Sequence, residues 1–347
     1  MFSVVSGSLL PREEIPHPDR TVYFNPLYGA EYFEVLIRRA TDILSVRAPA
    51  ETILSWAADM GFGPYAEQII RRIRFPQKTF AGLSLERPLV MGIVNVTPDS
   101  FSNRGRWDTA ETGMQMLYAG ADLLDVGGES TRPGAECVDP EEEAGRVLPV
   151  VEELVHSGAV VSVDTRKSLV AAGAIRAGAQ IINDVSAFTY DPKGLDYVSQ
   201  EPDVCVILMH AQGTPETMQD NPVYTRPSLD IFDYLAGRIE ACERAGIFRN
   251  RICIDPGVGF GKTTADNCEI LSRLGLFRGL GCPVMLGVSR KRFIAECNRG
   301  EETDARLPGS LAAALAGVNA GADVLRVHDT AETVQALAVA QKIKEFR

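Results

Sequence analysis

Residues 91–102 read MGIVNVTPDSFS. The apolar run at 89–94 has the length and residue types of a buried strand. It breaks into Asn95, Thr97, Asp99 and Ser100 around Pro98. In a parallel α/β core, strands buried on both faces end in such polar groups at the edge where loops meet substrate. The pattern recurs along the chain. Candidate strands at 90–95, 123–127, 160–164, 181–184, 204–209, 252–255, 284–288 and 324–327 alternate with helix-like stretches at 109–119, 140–156, 167–177, 193–201, 229–245, 265–280, 310–320 and 331–345.

Eight strand–helix pairs in about 260 residues predict an α/β fold of the (β/α)8 TIM-barrel type. A short repeat supports the count: AGAD at 119–122, AGAQ at 177–180 and AGAD at 320–323 each end a helix and lead into a strand, with SGA at 157–159 a looser copy. Glycine just past a helix takes the left-handed conformation that closes it. These glycines therefore read as structural.

Residues 1–85 read as an N-terminal extension and 86–347 as the barrel. Pro11, Pro16, Pro18 and Pro26 exclude a long helix at the start, and 31–40, 50–60 and 64–74 have the appearance of short helices, Pro64 standing at a first turn. Arg71, Arg72 and Arg74 read as a solvated face packed on the main domain, not as an anion site.

The 347 residues carry 23% charged and 45% hydrophobic side chains and a net charge of −11, which argues against a nucleic-acid or acidic-membrane partner. An anionic substrate must be held by local Lys and Arg against that field. No apolar run approaches the roughly 18 residues of a membrane span, and the opening MFSVVSGSLLPREE lacks a basic n-region. Seven scattered cysteines without a C-x-x-C fit a reduced, cytoplasmic chain without a structural metal.

In such a barrel the strand ends share one mouth. They supply Asn95; Asp125, Glu129 and the loop STRPG at 130–134; Asp164, Thr165 and Arg166; Asn183 and Asp184; Met209 and His210; Asp255 and the loop GVGFGK at 257–262; Ser289, Arg290 and Lys291; and Arg326, His328 and Asp329. A single Asp after a strand is as readily a helix cap as a ligand group. Seven of eight strands ending this way is better explained by one convergent site.

Two chemistries stand out. Asp164, Asn183 and Asp255 suit hydrogen bonds to the edge of a flat, nitrogen-rich ring, with Lys291 adding a donor. Arg132, Lys291, Arg326 and His328 suit anionic oxygens, the last three lying after strands seven and eight, where such barrels often hold phosphate. Asn95 is a neutral oxygen donor suited to Mg²⁺ shared with phosphate and water. The residue types thus point to a heterocycle joined to a phosphate or pyrophosphate. The loop at 257–262 lacks the spacing of a P-loop; its glycines read as allowing close approach of backbone to ligand, with Phe260 as an apolar wall.

NVTPDSFS at 95–102, DVGGESTRPG at 125–134, DPG at 255–257 with GFGK at 259–262, SRK at 289–291, MH at 209–210 with GTP at 213–215, and RVHD at 326–329 together resemble the dihydropteroate synthase family. The resemblance runs from about residue 89 to the C-terminus, with the motifs in family order. It implies condensation of hydroxymethyl-dihydropterin pyrophosphate with p-aminobenzoate in folate synthesis, and a homodimer. By motif position it implies that Asp164, Asn183, Asp255 and Lys291 bind the pterin. Asn95 would serve Mg²⁺ and the pyrophosphate, which Arg132, Arg326 and His328 also hold. Thr131, Pro133, Phe260 and Ser289 would form the p-aminobenzoate pocket, with Phe101 and the 99–106 loop closing over it. Asp99, Arg132 and Lys291 would be the catalytic groups.

One departure is visible. After Ser102 the family pattern has an Asp-Gly-Gly turn, whereas this chain reads Asn103-Arg104-Gly105. Two other readings compete: a methyltetrahydrofolate methyltransferase on the same barrel, which would not need the 130–134 flap or Ser289-Arg290-Lys291, and a catalytically silent pterin-binding paralogue, with the altered turn as its main support.

Overall fold

The structure is a computed structural model and describes residues 21–39, 42–96, 105–130, 137–213, 217–218 and 221–346. The chain forms two compact units. One runs up to Pro76 and takes in Arg273–Cys282; the other comprises Gln77–Ser272 and Pro283–Arg347.

In the first unit, β1 (Val22–Leu27), β2 (Tyr32–Arg38) and β3 (Ile43–Pro49) form an antiparallel sheet in sequence order. Two helices follow, α1 (Ala50–Asp59) and α2 (Gly63–Arg74). The expected extension of short helices is corrected at 31–40, which is strand β2. Its Phe33, Val35 and Ile37 are aromatic or β-branched and fit a pleated surface better than a helix. They face Ile53, Trp56, Ile69 and Ile73 from the helices. The run looked helical because the opposite face is covered too, so no alternation shows: Glu34 is only 4% exposed. Its carboxylate accepts from Ser45 Oγ at 3.0 Å and Arg273 Nε at 3.1 Å. Burial raises the Glu34 pKa, but the Arg273 hydrogen bond and charge outweigh it, leaving the carboxyl below its ordinary range.

Arg72 and Arg74 donate to the carbonyls of Gly279 and Ala30 within this same unit, while Arg71 and Arg74 are exposed, as a solvated face requires. The helix expected at 265–280 is also divided. It ends at Ser272, and Leu274–Leu280 continues as a tighter 3-10 stretch belonging to the first unit. Gly275, Gly279 and Gly281 weaken the α-helix there.

The second unit opens with the hairpin β4 (Thr79–Phe80) and β5 (Leu83–Ser84). The compact units therefore part at Pro76, ahead of residue 85. Eight parallel strands follow: β6 (Leu89–Asn95), β7 (Leu123–Gly127), β8 (Val161–Asp164), β9 (Ile181–Asp184), β10 (Cys205–Met209), β11 (Ile252–Asp255), β12 (Met285–Leu286) and β13 (Val324–Val327). They pair in the order β11-β10-β9-β8-β7-β6-β13-β12. A parallel bridge between Ile254 and Val284 joins β11 to the chain entering β12 and closes the ring. The fold is a (β/α)8 TIM barrel with an N-terminal α/β extension.

The surrounding helices are α3 (Gly105–Tyr118), α4 (Pro140–His156), α5 (Ser168–Arg176), α6 (Lys193–Ser199), α7 (Pro227–Arg244), α8 (Thr264–Ser272), α9 (Arg292–Glu296), α10 (Leu307–Ala320) and α11 (Thr330–Lys344). Gly120, Gly158, Gly178 and Gly321 all have positive φ, as the repeated helix-closing motif requires. Among the described residues no helix is long and apolar enough to cross a membrane.

Inside the barrel, Leu89, Met91, Leu123, Ile181, Cys205, Ile207, Cys253, Met285 and Val324 form one buried apolar cluster, and Phe80 of the hairpin packs into it. Side chains two apart on a strand share a face. One step above Leu123, Ile181, Cys253 and Val324 therefore stand Asp125, Asn183, Asp255 and Arg326. The apolar cluster closes the barrel beneath a layer of polar groups.

Candidate active site

Arg326 is at the centre of this polar layer. Its Nε donates to Asp125 Oδ2 at 2.6 Å and its Nη2 to Asp164 Oδ2 at 2.8 Å. Asn183 Nδ2 donates to the same Asp125 oxygen at 3.0 Å. Four strands thus meet in one buried network. Burial opposes the Arg326 charge, but Asp125 and Asp164 more than compensate, and its pKa rises. Burial also pushes Asp164 up to about 7, with Arg326 working against the rise. Asn183 Oδ1 and Asp125 Oδ1 are buried without a partner among the described residues. Buried acceptors of this kind are costly unless something donates to them.

Across the ring, Asp255 is 3% exposed and accepts the Gly257 amide on Oδ1 at 2.7 Å. Its pKa is raised by burial, against the pull of Lys291. Lys291 donates to the carbonyl of Val258, and its ammonium lies 4.5 Å from the centroid of the Phe260 ring. Burial brings the Lys291 pKa down to about 8, with Asp255 resisting.

Gly287 faces the space these groups enclose. A Cβ there would stand 3.8 Å from Lys291 Nζ, 3.9 Å from Arg326 Cβ and 4.0 Å from Asp255 Oδ2. The residue leaves room for a flat ligand between the acidic and basic groups. Sequence reading passed it over; the available signal was a lone glycine near the end of an otherwise apolar strand. Asp125 was recognised as a strand end but given no role, and the structure makes it the shared anchor of Arg326 and Asn183.

Local backbone sets the two loops that flank this space. Arg290 is a non-glycine residue at φ 57°, a left-handed conformation that side chains rarely adopt. It is held by its amide to Ser310 Oγ at 2.8 Å and by its guanidinium to Asp329 at 3.0 Å. Ser289 is in turn joined to His328, whose backbone N–H and ring Nδ1 lie 3.2 and 3.1 Å from the Ser289 hydroxyl. Arg290 is thus a structural anchor between two predicted ligand residues.

The glycines at 257 and 261 serve the protein itself. A Cβ at Gly257 would lie 1.9 Å from the His210 carbonyl oxygen, and one at Gly261 would lie 2.3 Å from that of Gln212. The close backbone approach expected for a ligand is here an approach of loop to loop. Lys262 fastens the same contact, lying 3.0 Å from His210 Nδ1 and donating to the Phe260 carbonyl at 2.9 Å. Burial takes the Lys262 pKa well below its ordinary value and His210 down to about 3, so a neutral imidazole meets the amine. His210 also packs edge-on to Tyr234 at 4.8 Å. Its place is structural.

Glu129 was read as a strand-end group and the start of the flap motif, with no role of its own. It accepts from the Val138 amide at 2.9 Å, Arg166 Nε at 3.1 Å and Lys167 Nζ at 3.0 Å, pinning both ends of the 130–137 segment. Asp99, Phe101, Thr131, Arg132, Pro133 and the Asn103-Arg104 part of the altered turn lie outside the described residues.

Asn95 ends β6 at the mouth with its side chain exposed. Among the described residues no group of three or more His, Cys, Asp or Glu side chains could cage a metal. A single exposed amide fits Mg²⁺ carried in on a polyphosphate, which keeps waters and phosphate oxygens as its other ligands.

Comparison with known proteins agrees with this arrangement. The family model for pterin binding enzymes matches residues 91–328. A dihydropteroate synthase of Neisseria meningitidis serogroup C is 44% identical over 262 residues, covering 74% of this chain and 92% of that protein. The structure of Xanthomonas albilineans dihydropteroate synthase with 4-aminobenzoic acid superposes with a TM-score of 0.72 at 48% identity, covering 76% of this chain and 96% of that one. A complex of the Xanthomonas enzyme with 7,8-dihydropteroate gives 0.68 at 43% identity, over 76% and 96% of the two chains. With the polar layer, the plugged barrel and these matches in place, the chain belongs to the pterin-binding enzyme family, on its dihydropteroate synthase branch.

Proposed function

We propose that this protein condenses 6-hydroxymethyl-7,8-dihydropterin pyrophosphate with p-aminobenzoate, giving 7,8-dihydropteroate and pyrophosphate, as a transferase of folate biosynthesis. The observation that carries the reading is the buried polar layer of Asp125, Asp164, Asn183, Asp255, Lys291 and Arg326, in which Asn183 Oδ1 and Asp125 Oδ1 have no partner among the described residues. A pterin edge offers ring and amino N–H groups to Asp164, Asn183 and Asp255, and a carbonyl to Lys291. Arg326, His328 and Arg132 take the pyrophosphate with Asn95. Ser289, Thr131 and Pro133 hold p-aminobenzoate against Phe260, with Phe101 covering it.

The chemistry follows from charge. The C–O bond to pyrophosphate breaks with its electron pair leaving on oxygen, and the electron-rich pterin spreads the positive charge that remains. Asp164 and Asp255 favour that charge from a buried position, where fixed carboxylates act more strongly than in water. Arg132 and Arg326 meet the growing negative charge on the leaving group. Bound through Asn95, Mg²⁺ would add a Lewis-acid counter-charge to the same oxygens. The arylamine nitrogen then attacks the freed carbon and loses its proton to solvent. Asp99 is assigned with Arg132 and Lys291 to the catalytic groups, and no side-chain nucleophile is needed.

The test is release of pyrophosphate from the two substrates in Mg²⁺; absence of any p-aminobenzoate-dependent release overturns the reading. Two narrower outcomes follow. Pterin affinity is expected to fall as pH rises through about 8, where Lys291 loses its proton, and the alkaline limb should vanish in Lys291→Met. For the empty protein the sign is opposite: between about 8 and the ordinary 10.5 the unfolded state holds a proton the folded state lacks, so stability rises with pH across that window. A flat affinity profile from pH 7 to 10 counts against the pterin role of Lys291. In Phe260→Leu, p-aminobenzoate and sulfonamide binding should weaken by roughly three- to tenfold through lost stacking and a lost cation–π contact. Equal losses for pterin would refute the pocket assignment.

A homodimer and a cytoplasmic location complete the reading. α10 is LPGSLAAALAGVNA, yet only Ser310, Ala314 and Gly317 are buried, which supports a second copy covering its apolar face. All seven cysteines are free thiols, which supports a reducing compartment.

A further inference from the structure

Two thiols stand together at the rim of the barrel mouth. Cys268 lies in α8, Cys297 caps the end of α9, and both are exposed free cysteines. Cys297 is the side chain that adds to burial in raising the Cys268 pKa, which places the two thiols beside each other. A separate contact joins the same two helices: Thr264, one turn before Cys268, donates its hydroxyl to the carboxylate of Glu296, the residue next to Cys297. The other exposed cysteine, Cys137, has its sulfur 3.5 Å from Tyr190 Oη.

Position gives the pair its interest. α8 is the first element after the loop that carries Phe260 and Lys262, and α9 is the first after Ser289-Arg290-Lys291. The two loops already touch through the Lys291 bond to the Val258 carbonyl and the stack of Lys291 on Phe260.

The geometry points to a reversible disulfide between Cys268 and Cys297, formed at the expense of a peroxide, that ties the Phe260 loop to the Lys291 loop and lowers turnover. One thiol is oxidised by hydrogen peroxide to a sulfenic acid, with release of water. The second sulfur attacks it, and the S–OH bond breaks as the S–S bond forms, releasing a second water. Two sulfurs are each oxidised by one electron and the peroxide is reduced by two. A thiol reductant reverses the bond by exchange. Burial, aided by the neighbouring Cys297, pushes the Cys268 thiol up, so the pair rests in the thiol form and oxidation needs peroxide in excess. A covalent S–S bond is closer than any thiol contact, so the start of α8 and the end of α9 are drawn together and both loops shift at the ligand space. The bond is independent of the reading under Proposed function; its effect on turnover rests on that reading.

The full-length protein, reduced and then treated with hydrogen peroxide, is expected to lose two hydrogen atoms in intact mass and to yield a peptide pair linked through Cys268 and Cys297. kcat/KM for p-aminobenzoate should fall by about ten- to a hundredfold, the scale of a small misplacement of binding groups, and return with dithiothreitol. Cys268→Ser and Cys297→Ser should each match the reduced protein before treatment and resist peroxide. Separate oxidation of the two sulfurs, with no linked peptide, overturns the proposal. A linked peptide with unchanged kcat/KM overturns the regulatory half. A chain that links yet shows no turnover even when reduced condemns the site reading and leaves the disulfide standing.

Discussion

In Asp255→Ala, affinity for the pterin substrate is expected to fall by about a hundredfold or more, because a ligand's N–H groups would enter a buried site with no acceptor. Asp255 is 3% exposed, accepts the Gly257 amide at 2.7 Å and faces Lys291 across the ligand space. Alanine removes the ring-edge acceptor and also leaves that amide unpaired. Asp255→Asn separates the two effects, since its oxygen still accepts from Gly257 while the charge is gone. Calorimetric titration with the pterin substrate reads affinity, and thermal unfolding reads the fold. Unchanged affinity in a folded Asp255→Ala protein would show that the ring edge lies elsewhere.

Arg326→Ala should cost about 3–5 kcal/mol of stability, because it leaves two buried carboxylates facing each other without their cation. Asp125 is 0% exposed and Asp164 7%, at 2.6 and 2.8 Å from the guanidinium. The melting temperature is expected to drop by roughly 6–15 °C. The pH dependence identifies the cause. Asp164 already has its pKa pushed up to about 7 by burial, and loss of Arg326 pushes it further. The folded variant then binds more protons than the unfolded chain above the ordinary carboxylate range, so its stability rises as pH falls. The deficit should therefore be larger at pH 8 than at pH 6. A deficit below about 1 kcal/mol, or one that grows on acidification, would show that Arg326 does not neutralise this pair.

The barrel was legible because its strands are short, apolar and followed by polar residues at regular intervals. Strands at 123–127, 181–184, 252–255 and 324–327 have the bounds read from sequence alone. Residues 31–40 were misread because a strand covered on both faces loses the alternation that marks it. Glu34 is buried in that strand, and Arg273, far along the chain, provides its partner. The split of 265–280 has the same origin: the 3-10 stretch after Ser272 packs with residues of the first unit, so its fate depends on contacts no local window contains.

The candidate site shows the same division. Sequence alone determined which residue types reach the barrel mouth, because side-chain period and strand end follow from local pattern. It therefore placed Asp164, Asn183, Asp255, Lys291 and Arg326 in one region. Tertiary structure decided what those groups do to one another. Closing the ring sets Arg326 between Asp125 and Asp164, buries Lys291 beside Asp255, and opens the space over Gly287. It also turned Gly257 and Gly261 from ligand contacts into contacts with the chain's own backbone. These outcomes depend on distances between strands remote in sequence and on the loss of water around them. Burial and proximity set the charge on each group, and both exist only once the barrel has closed.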